Sequence, residues 1–423
     1  MEFLKKLLLV KQEISQKTLR LKLKTALFVS IAAVVFFSIL ILLVSYFGYT
    51  VLFDKGLESQ SEMARTLASA VDSTIEKQVE MLKLNANTQF VIDALKQNNL
   101  KYRVMGEREV QRYLMDADKR WIEAPDEHPL IKEYSGNKLS GRLKELKGGN
   151  KELVSLTVTD KFGGLAGSTT RTQGFYSFDK DWWLDSYAKG RGKPFIGNVE
   201  YDEQSNLWCL PFAVPIEDEA GTVIGIYKAQ VSLGAFFKPL LNFKIGKTGN
   251  AVLADDKAYL VYHYKAAPFA NKFCEYGEFQ KTLQNSEKWG VLDSAYFNHG
   301  KMLVAYAQVL PPAYFYQAPS LAVNSEVNRP FLSAEGISWF VFVGRDLREI
   351  FAPLNKLILI MILVGIALTI ILALSVFILS VQEHPGSILQ VIKETPAAKP
   401  EEENSNIIER ERLTRLPKEE NNK

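Results

Sequence analysis

The chain has 423 residues and a formal net charge of +3, from 51 Lys and Arg against 48 Asp and Glu. This near balance leaves no basic footprint of the kind that nucleic-acid-binding proteins show, so nucleic acid is not an expected partner. Hydrophobic residues make up 47% of the sequence, and two long apolar runs near its ends inflate that share.

The first apolar run, residues 26–47, predicts a transmembrane helix. At roughly 1.5 Å per residue it reaches about 33 Å, against a hydrocarbon core of about 30 Å. A cleaved signal peptide is the competing interpretation, but the run is too long and no small-residue cleavage site follows Phe47. The segment 1–25 has only Glu2 and Glu13 as acids, and its basic excess predicts a cytoplasmic N-terminus. The basic residues are Lys5, Lys6, Lys11, Lys17, Arg20, Lys22 and Lys24.

Residues 48–98 predict a long stalk helix that continues out of the membrane. Apolar residues recur every three or four positions with charges between them, as on one face of a helix. These residues are Met63, Leu67, Val71, Ile75, Val79 and Leu82. The stripe packs on its own domain, pairs with a second copy in a homodimer, or does both, and dimerisation through the stalk and membrane helices is the favoured expectation.

Residues 99–240 predict a small antiparallel sheet with helices on one side. A charged helical region, 103–119, and a turn-rich stretch around Pro125 and Pro129 come first. The turn "KFGG" then joins two alternating segments as a hairpin. The predicted elements are strands 153–160 and 165–170, a helix over 181–189, and strands 195–200, 207–215 and 223–233.

Residues 241–354 repeat this pattern and predict a second sheet, which gives an α+β fold with two tandem units. The predicted strands are 247–256, 259–264, 289–298, 301–309 and 339–344, with a proline-rich surface loop at 311–330. The tripeptide "GKT" at 246–248 is a structural turn, because Leu241 stands where a phosphate-binding loop needs glycine. No nucleophile and base are arranged as in an enzyme, so catalysis is not expected.

The second apolar run, 357–381, predicts a return span of about 37 Å at roughly 1.5 Å per residue. Two spans put both termini on the cytoplasmic side of the cell (inner) membrane and the middle of the chain outside. Residues 382–423 carry four prolines and blocks of acids, which predicts a disordered cytoplasmic tail.

The cysteines and histidines indicate no bridge, metal or cofactor. Cys209 and Cys274 lie outside the cytosol, where a disulfide is permitted, but they fall in different units, so two buried free thiols are favoured over a bridge. The histidines show no ligand spacing. They are His128, His263, His299 and His384.

Six segments in order between the two spans resemble the double Cache sensor domains of bacterial transmembrane receptors, over residues 48–354. In the first unit they are "LTVTDKFGGLAGST", "YSFDKDWWLDSYAKG", "NVEYDE" and "VPIEDEAGTVIGIYKAQVSL", and in the second "GKTGNAVLADDKAYLVYH" and "SWFVFVGRDLREIFAPL". The resemblance implies two stacked PAS-like subdomains on a stalk helix, membrane-distal over 99–240 and membrane-proximal over 241–354. It also implies a small ligand in the distal subdomain.

The amino-acid-binding branch of that family implies a set of ligand-binding residues. Lys180 stands at the place of the family's arginine, Tyr201 at that of a tyrosine, and Gln230 at that of an aspartate. Trp182 and Trp183 stand at the places of the family's aromatic pair, and Tyr176 lies about one residue from the place of an upstream tyrosine of the family. Each has a structural alternative: the tryptophans as core aromatics, the lysine as a solvated charge.

Two further residues complete the expected site, and its chemistry disfavours a free amino acid. Asp202 follows Tyr201 and is either a ligand contact or a turn former. Lys228 lies two residues before Gln230, so both emerge on one face of a strand. With two lysines and a neutral amide in place of the acid, the expected pocket has no partner for an ammonium group, which favours an anionic or neutral ligand.

The function expected from these features is that of a receptor. Ligand binding in the distal subdomain changes the stalk and return span, and a separate partner reads the change, as in chemotaxis or two-component signalling, because no output domain follows the second span. A truncated receptor, or a scaffold that binds protein through 311–330, is the alternative.

Overall fold

The computed structural model describes residues 2–237, 243–263, 265–284, 289–294, 300–309 and 339–382. The chain divides into two units, one of the terminal segments Met1–Ser45 and Leu357–Lys423 and one of Tyr46–Lys356. The predicted loop 311–330, the tail beyond Gln382, His299 and His384 lie outside the described residues.

The terminal unit contains the two apolar runs as helix. The first run lies within α1 (Glu2–Ala86) and the second within α9 (Leu347–Gln382). Both helices are long and apolar enough to cross a membrane, and no part of the apolar window of either is buried. Exposure of such segments is what lipid contact requires.

The predicted stalk is continuous with the first run, since α1 ends only at Ala86, and α2 (Gln89–Asn99) follows after Asn87 and Thr88. The stripe faces the chain's own core: Val71, Ile75, Val79 and Leu82 are at most 1% exposed. Packing on its own domain is therefore established for the stripe, and pairing with a second copy stays a prediction.

The first sheet is antiparallel, with strand order β2-β1-β6-β5-β3 and β4 paired to β5. Three helices precede it and a short helix interrupts it. The elements are α3 (Glu107–Glu123), α4 (Pro129–Gly136), α5 (Lys138–Gly149), β1 (Leu153–Asp160), β2 (Leu165–Ser168), α6 (Asp181–Tyr187), β3 (Phe195–Ile196), β4 (Glu200–Asp202), β5 (Leu207–Glu217), β6 (Val223–Ser232) and α7 (Leu233–Phe236), with 3-10 turns at Leu100–Tyr102 and Ala188–Gly190.

Two differences from the predicted elements have local causes. Helices α4 and α5 take the place of a turn-rich stretch, because side chains of His128 and Asn137 accept N-cap hydrogen bonds and Pro129 fits the first helical turn. The predicted strand 195–200 is two strands on different parts of β5, since β3 ends at Ile196 and β4 begins at Glu200.

The second sheet is also antiparallel, with strand order β10-β11-β12-β8-β7 and β9 paired to β8. The two sheets confirm the predicted α+β fold with tandem units. Its elements are β7 (Lys244–Ile245), β8 (Gly249–Asp255), β9 (Leu260–Tyr262), α8 (Tyr276–Gln284), β10 (Trp289–Ser294), β11 (Gly300–Gln308) and β12 (Trp339–Asp346), which leads directly into α9.

One apolar core joins the stalk to both sheets. It contains the buried stripe of α1, alternate residues of β1, β5 and β6, and residues of β11 and β12. Phe237 and Trp339, one from each sheet unit, meet with ring centroids 5.8 Å apart. Because strand residues alternate between faces, the residues of β1 and β6 that do not enter this core face the opposite side of the first sheet.

Cys209 and Cys274 are both buried free thiols in different parts of the fold, on β5 and in the core of the second sheet. Burial raises the pKa of each thiol to about 12. At neutral pH both side chains are protonated, so they behave as small apolar residues.

The turn at 246–248 holds a carboxylate of the chain itself. The backbone N–H groups of Lys247 and Thr248 donate to Glu349 Oε1 and Oε2 at 2.9 and 2.8 Å, and Arg345 Nη2 donates to Oε1 at 2.8 Å. Burial opposes ionisation of Glu349, but these hydrogen bonds outweigh it and bring its pKa to about 2. Gly246 has φ +60, and a Cβ there would lie 2.1 Å from Glu349 Oε1. The turn thus fastens the start of α9 to the second sheet.

His263, directly after β9, makes the stability of this sheet depend on pH. It is 7% exposed, and burial together with nearby Lys265 lowers its pKa to about 4. The unfolded chain, with an ordinary pKa near 6.5, therefore binds a proton first as pH falls, and stability is lost between about pH 6.5 and 4. We expect this group alone to cost about 2 kcal/mol between pH 7.5 and pH 5, measured by urea unfolding of the full chain in detergent.

The matched control for His263 is His263→Asn. Asparagine keeps an acceptor for the Lys265 N–H, which donates to His263 Nδ1 at 3.1 Å, but it does not titrate. The variant should lose less stability than the parent over the same pH interval. Equal losses in the two proteins would show that His263 does not carry the effect.

Candidate functional site

The outer face of the first sheet, opposite the stalk, is polar at its centre. The register of β1 and β6 pairs Ser155 with Gln230 and Thr157 with Lys228. The residues that alternate with Lys228 and Gln230 on β6, Tyr227 and Ala229, belong to the core. Alternation along two neighbouring strands therefore collects hydroxyl, amide and ammonium groups on one face.

A cavity of about 480 Å³ lies over this polar face. Its walls are the loop after β2, the start of α6, and β4 with the turn that follows it. Seven of the eight predicted site residues line it, namely Tyr176, Lys180, Trp182, Tyr201, Asp202, Lys228 and Gln230. The predicted residues thus come together in space, although they span more than fifty positions of the chain.

A second cavity, of about 730 Å³, borders the first. Its own lining comes mainly from 195–199 and α6. Four residues line both cavities: Lys180, Trp182, Glu200 and Lys228. These four side chains mark the place where the two spaces meet.

Trp183 is the exception among the predicted site residues, because its side chain enters the core. It is 3% exposed, packs with Ala213, Val223 and Ile226, and stacks on Tyr187 with centroids 4.8 Å apart. Neighbours on a helix point about 100° apart, so only one of two adjacent tryptophans can face the cavity. The prediction that Trp183 contacts a ligand is corrected to its structural alternative.

Glu200 is a cavity residue that sequence reasoning missed. Its Oε1 lies 3.9 Å from Lys228 Nζ and accepts a hydrogen bond from Gln230 Nε2 at 2.9 Å. The expectation of two cations without an acid is therefore wrong. The signal was the alternation of β4, which puts Glu200 on the same face as Asp202.

Lys228 is enclosed by the groups around it. Its side chain is 18% exposed, and its Nζ lies 5.0 Å from the centroid of the Trp182 ring. Burial lowers the pKa of Lys228, and Glu200 partly opposes that change. A lysine whose charged form is this desolvated has more to gain from an anion than a surface lysine has.

The other predicted polar residues are at the rim. Lys180 is 57% exposed on its side chain and pairs with Asp179 at 3.6 Å. Asp202 Oδ2 accepts from the Ser205 N–H at 2.9 Å, which is the turn-forming role. The Tyr201 hydroxyl donates to Asn206, and its ring lies 5.2 Å from that of Trp208.

Arg171 fixes the loop that forms one wall of the cavity. Its Nη2 donates to the carbonyls of Trp121 and Ala124 at 2.6 and 2.7 Å, and its Nη1 to Asp126 at 2.6 Å. The guanidinium thus bonds to the C-terminal end of α3 and the residues that follow it. No pattern in the sequence singled this residue out, because its partners are mainly backbone carbonyls.

Comparison with known proteins gives a family match over most of the chain. A family model described as a Cache domain, dCache_1, matches residues 55–354. A search of curated proteins found no match. Within the described residues, no group of three His, Cys, Asp or Glu side chains is arranged to hold a metal ion.

Similar solved structures are distant in sequence. The ligand-binding domain of Pseudomonas fluorescens chemoreceptor CtaA with L-isoleucine is 12% identical, covers 72% of this chain and 97% of its own, and has a TM-score of 0.43. The sensory domain of Campylobacter jejuni chemoreceptor Tlp3 with isoleucine is 13% identical, covers 72% of this chain and 98% of its own, and has a TM-score of 0.40. The ligand-binding domain of Pseudomonas aeruginosa PctC with GABA is 14% identical, covers 67% of this chain and 97% of its own, and has a TM-score of 0.38.

Proposed function

Because the chain belongs to the Cache domain family, we propose that it is a membrane-anchored sensor that binds a small molecule in the cavity beside Trp182. The observation that carries the proposal is the convergence of seven expected residues from four separate segments on one cavity. A concave site with one aromatic wall and several aimed polar groups is the usual form of a small-molecule site.

The proposed topology is two-pass, with both termini cytoplasmic and residues 46–356 outside. Two apolar helices flank the matched domain, and the basic excess before the first supports this orientation. The ligand-binding sheet is the membrane-distal one in this arrangement. The ring of Phe53, just after the first apolar run, lies 5.7 Å from the ring of Trp289 in the second sheet, measured between centroids. At the far end of the stalk, Asn87 Oδ1 accepts a hydrogen bond from the Glu217 N–H of the first sheet.

The proposed signal is a shift between two conformations of the domain. A ligand shifts such an equilibrium only by its difference in affinity for the two states, typically worth about 1–3 kcal/mol. The stalk core, shared by both sheets, supports transmission because a change in one sheet repacks residues that the other also contacts. Homodimerisation and a separate cytosolic partner are part of the proposal.

A thermal-shift screen of the full chain in nanodiscs tests the proposal. The compounds are organic acids, amino acids, amines and sugars. A ligand at 100 times its dissociation constant should add about 2.7 kcal/mol to the free energy of unfolding. Trp182→Ala should abolish the shift, whereas Tyr276→Ala, which removes an exposed aromatic ring at the start of α8, should leave it unchanged.

Two results count against this proposal in different ways. If no compound raises the melting temperature, the sensor function itself is contradicted. If a compound stabilises the parent and Trp182→Ala equally, the chain binds it elsewhere and the assigned cavity is wrong.

A further inference from the structure

We propose that Lys228 occupies the place of a ligand ammonium group, so that the cavity beside Trp182 accepts an organic anion without an amine and rejects amines and amino acids. This inference rests on the proposed function, because it names the class of ligand for the same site.

An ammonium group in a protein site needs a carboxylate nearby and gains further from an aromatic face. The border of the two cavities offers both, in Glu200 and Trp182. The Lys228 ammonium already holds both, 3.9 Å from Glu200 Oε1 and 5.0 Å from the Trp182 centroid. A ligand amine would therefore meet a like charge where it needs an opposite one.

Lys228 is held in this position by the sheet that carries it. It is on the central strand β6, paired to Thr157 on β1 and to Ala213 on β5. Its side chain is only 18% exposed, so it does not swing into solvent as a rim lysine does.

The polar side chains nearest Lys228 already bond to other groups of the chain, and Glu203, which also lines the cavity, is exposed to solvent. Gln230 is engaged at both ends of its amide, since its Oε1 accepts from Ser155 Oγ and its Nε2 donates to Glu200. Asp202 is engaged with the Ser205 N–H. Glu200 is shared between Gln230 and Lys228.

Lys228 has donors left for an anion. An ammonium group has three N–H donors, and within the described part of the chain the Lys228 Nζ makes an ion pair and a ring contact but no hydrogen bond. A ligand carboxylate would supply acceptors for these donors. Lys180 borders the same space and adds a second positive charge at the rim.

The test compares pairs of compounds that differ only in a hydroxyl for an ammonium group: lactate with alanine, and malate with aspartate. Dissociation constants are measured by titration calorimetry on the full chain in nanodiscs. We expect the parent protein to bind at least one hydroxy acid about tenfold or more tightly than its amino acid, as a charged hydrogen bond supports. In Lys228→Met, which keeps the length and removes the charge, the preference should reverse.

Lys180→Met is the matched control, since it removes a charge from the same border but leaves the Glu200 and Trp182 positions occupied. It should weaken binding of the hydroxy acid without reversing the preference. A parent protein that binds an amino acid as tightly as its hydroxy acid overturns the inference and leaves the proposed function standing, as does a Lys228→Met variant with unchanged preference. If the parent binds no hydroxy acid, the inference fails. The sensor proposal is tested separately, by the thermal-shift screen.

Discussion

Asp160→Ala is expected to lower the free energy of unfolding by about 3–5 kcal/mol, the cost of breaking a buried charged network. The Asp160 side chain is fully buried at the end of β1. Its Oδ1 accepts from the N–H groups of Phe162 and Gly164, each at 2.9 Å. Its Oδ2 accepts from the Tyr102 hydroxyl at 2.7 Å and from Asn98 Nδ2 at 3.2 Å.

The reason for so large an effect is that alanine leaves all these donors in the interior without an acceptor. Lys101, whose Nζ lies 3.9 Å from Asp160 Oδ2, also loses its counter-charge. Burial raises the pKa of Asp160 and lowers that of Lys101, because the charged form of each loses hydration in the folded protein. Urea unfolding of the full chain in detergent measures the loss.

Asp160→Asn is the control for shape. The amide keeps an acceptor for the turn N–H groups but turns a donor toward Asn98, so we expect a smaller loss of about 1–3 kcal/mol. The critical result is that Asp160→Ala has a lower free energy of unfolding than Asp160→Asn. A loss under about 1 kcal/mol in both variants would mean that solvent reaches the network.

Trp121→Ala should cost about 3–5 kcal/mol as a large-to-small change in a packed core. Trp121 is 0% exposed, and its ring lies 5.7 Å from that of Phe175. Its Nε1 donates to the carbonyl of Thr172, in the cavity wall, at 2.9 Å. The variant should therefore also weaken ligand binding, which calorimetry on the folded fraction would show.

Trp121→Phe separates the ring from its N–H group. Phenylalanine keeps most of the packing but leaves the Thr172 carbonyl unpaired, so we expect a loss of about 1–2 kcal/mol. If the phenylalanine and alanine variants are equally unstable, the hydrogen bond and not the packing holds the wall. If neither loses stability, this cluster does not support the wall.

Much of the fold could be predicted because its strands alternate cleanly. Apolar residues alternate with polar ones over 156–158 of β1 and 227–231 of β6 and enter the stalk core, and periodicity gave the bounds of both strands to within a residue. Helices α4 and α5 were not predicted, since they are short and polar and depend on N-caps at His128 and Asn137.

The candidate site could be located but not fully assigned. Seven residues of the family pattern line one cavity, whereas Trp183 faces inward because helix geometry separates it from Trp182. Glu200 was passed over since its role depends on a register that pairs it with Cys209 across β5. Its partners Lys228 and Gln230 are on β6, on the other side of β5, and the local sequence pattern does not specify that alignment.

The Glu349 contact with the turn 246–248 has a mechanical consequence. If a flexible linker joined α9 to the second sheet, small motions of the sheet would not reach the helix. Four hydrogen bonds on one carboxylate instead make the joint stiff, so the first turn of α9 is fixed to the turn between β7 and β8. With the pKa of Glu349 near 2, mild acidity that protonates an unfolded histidine leaves this joint closed.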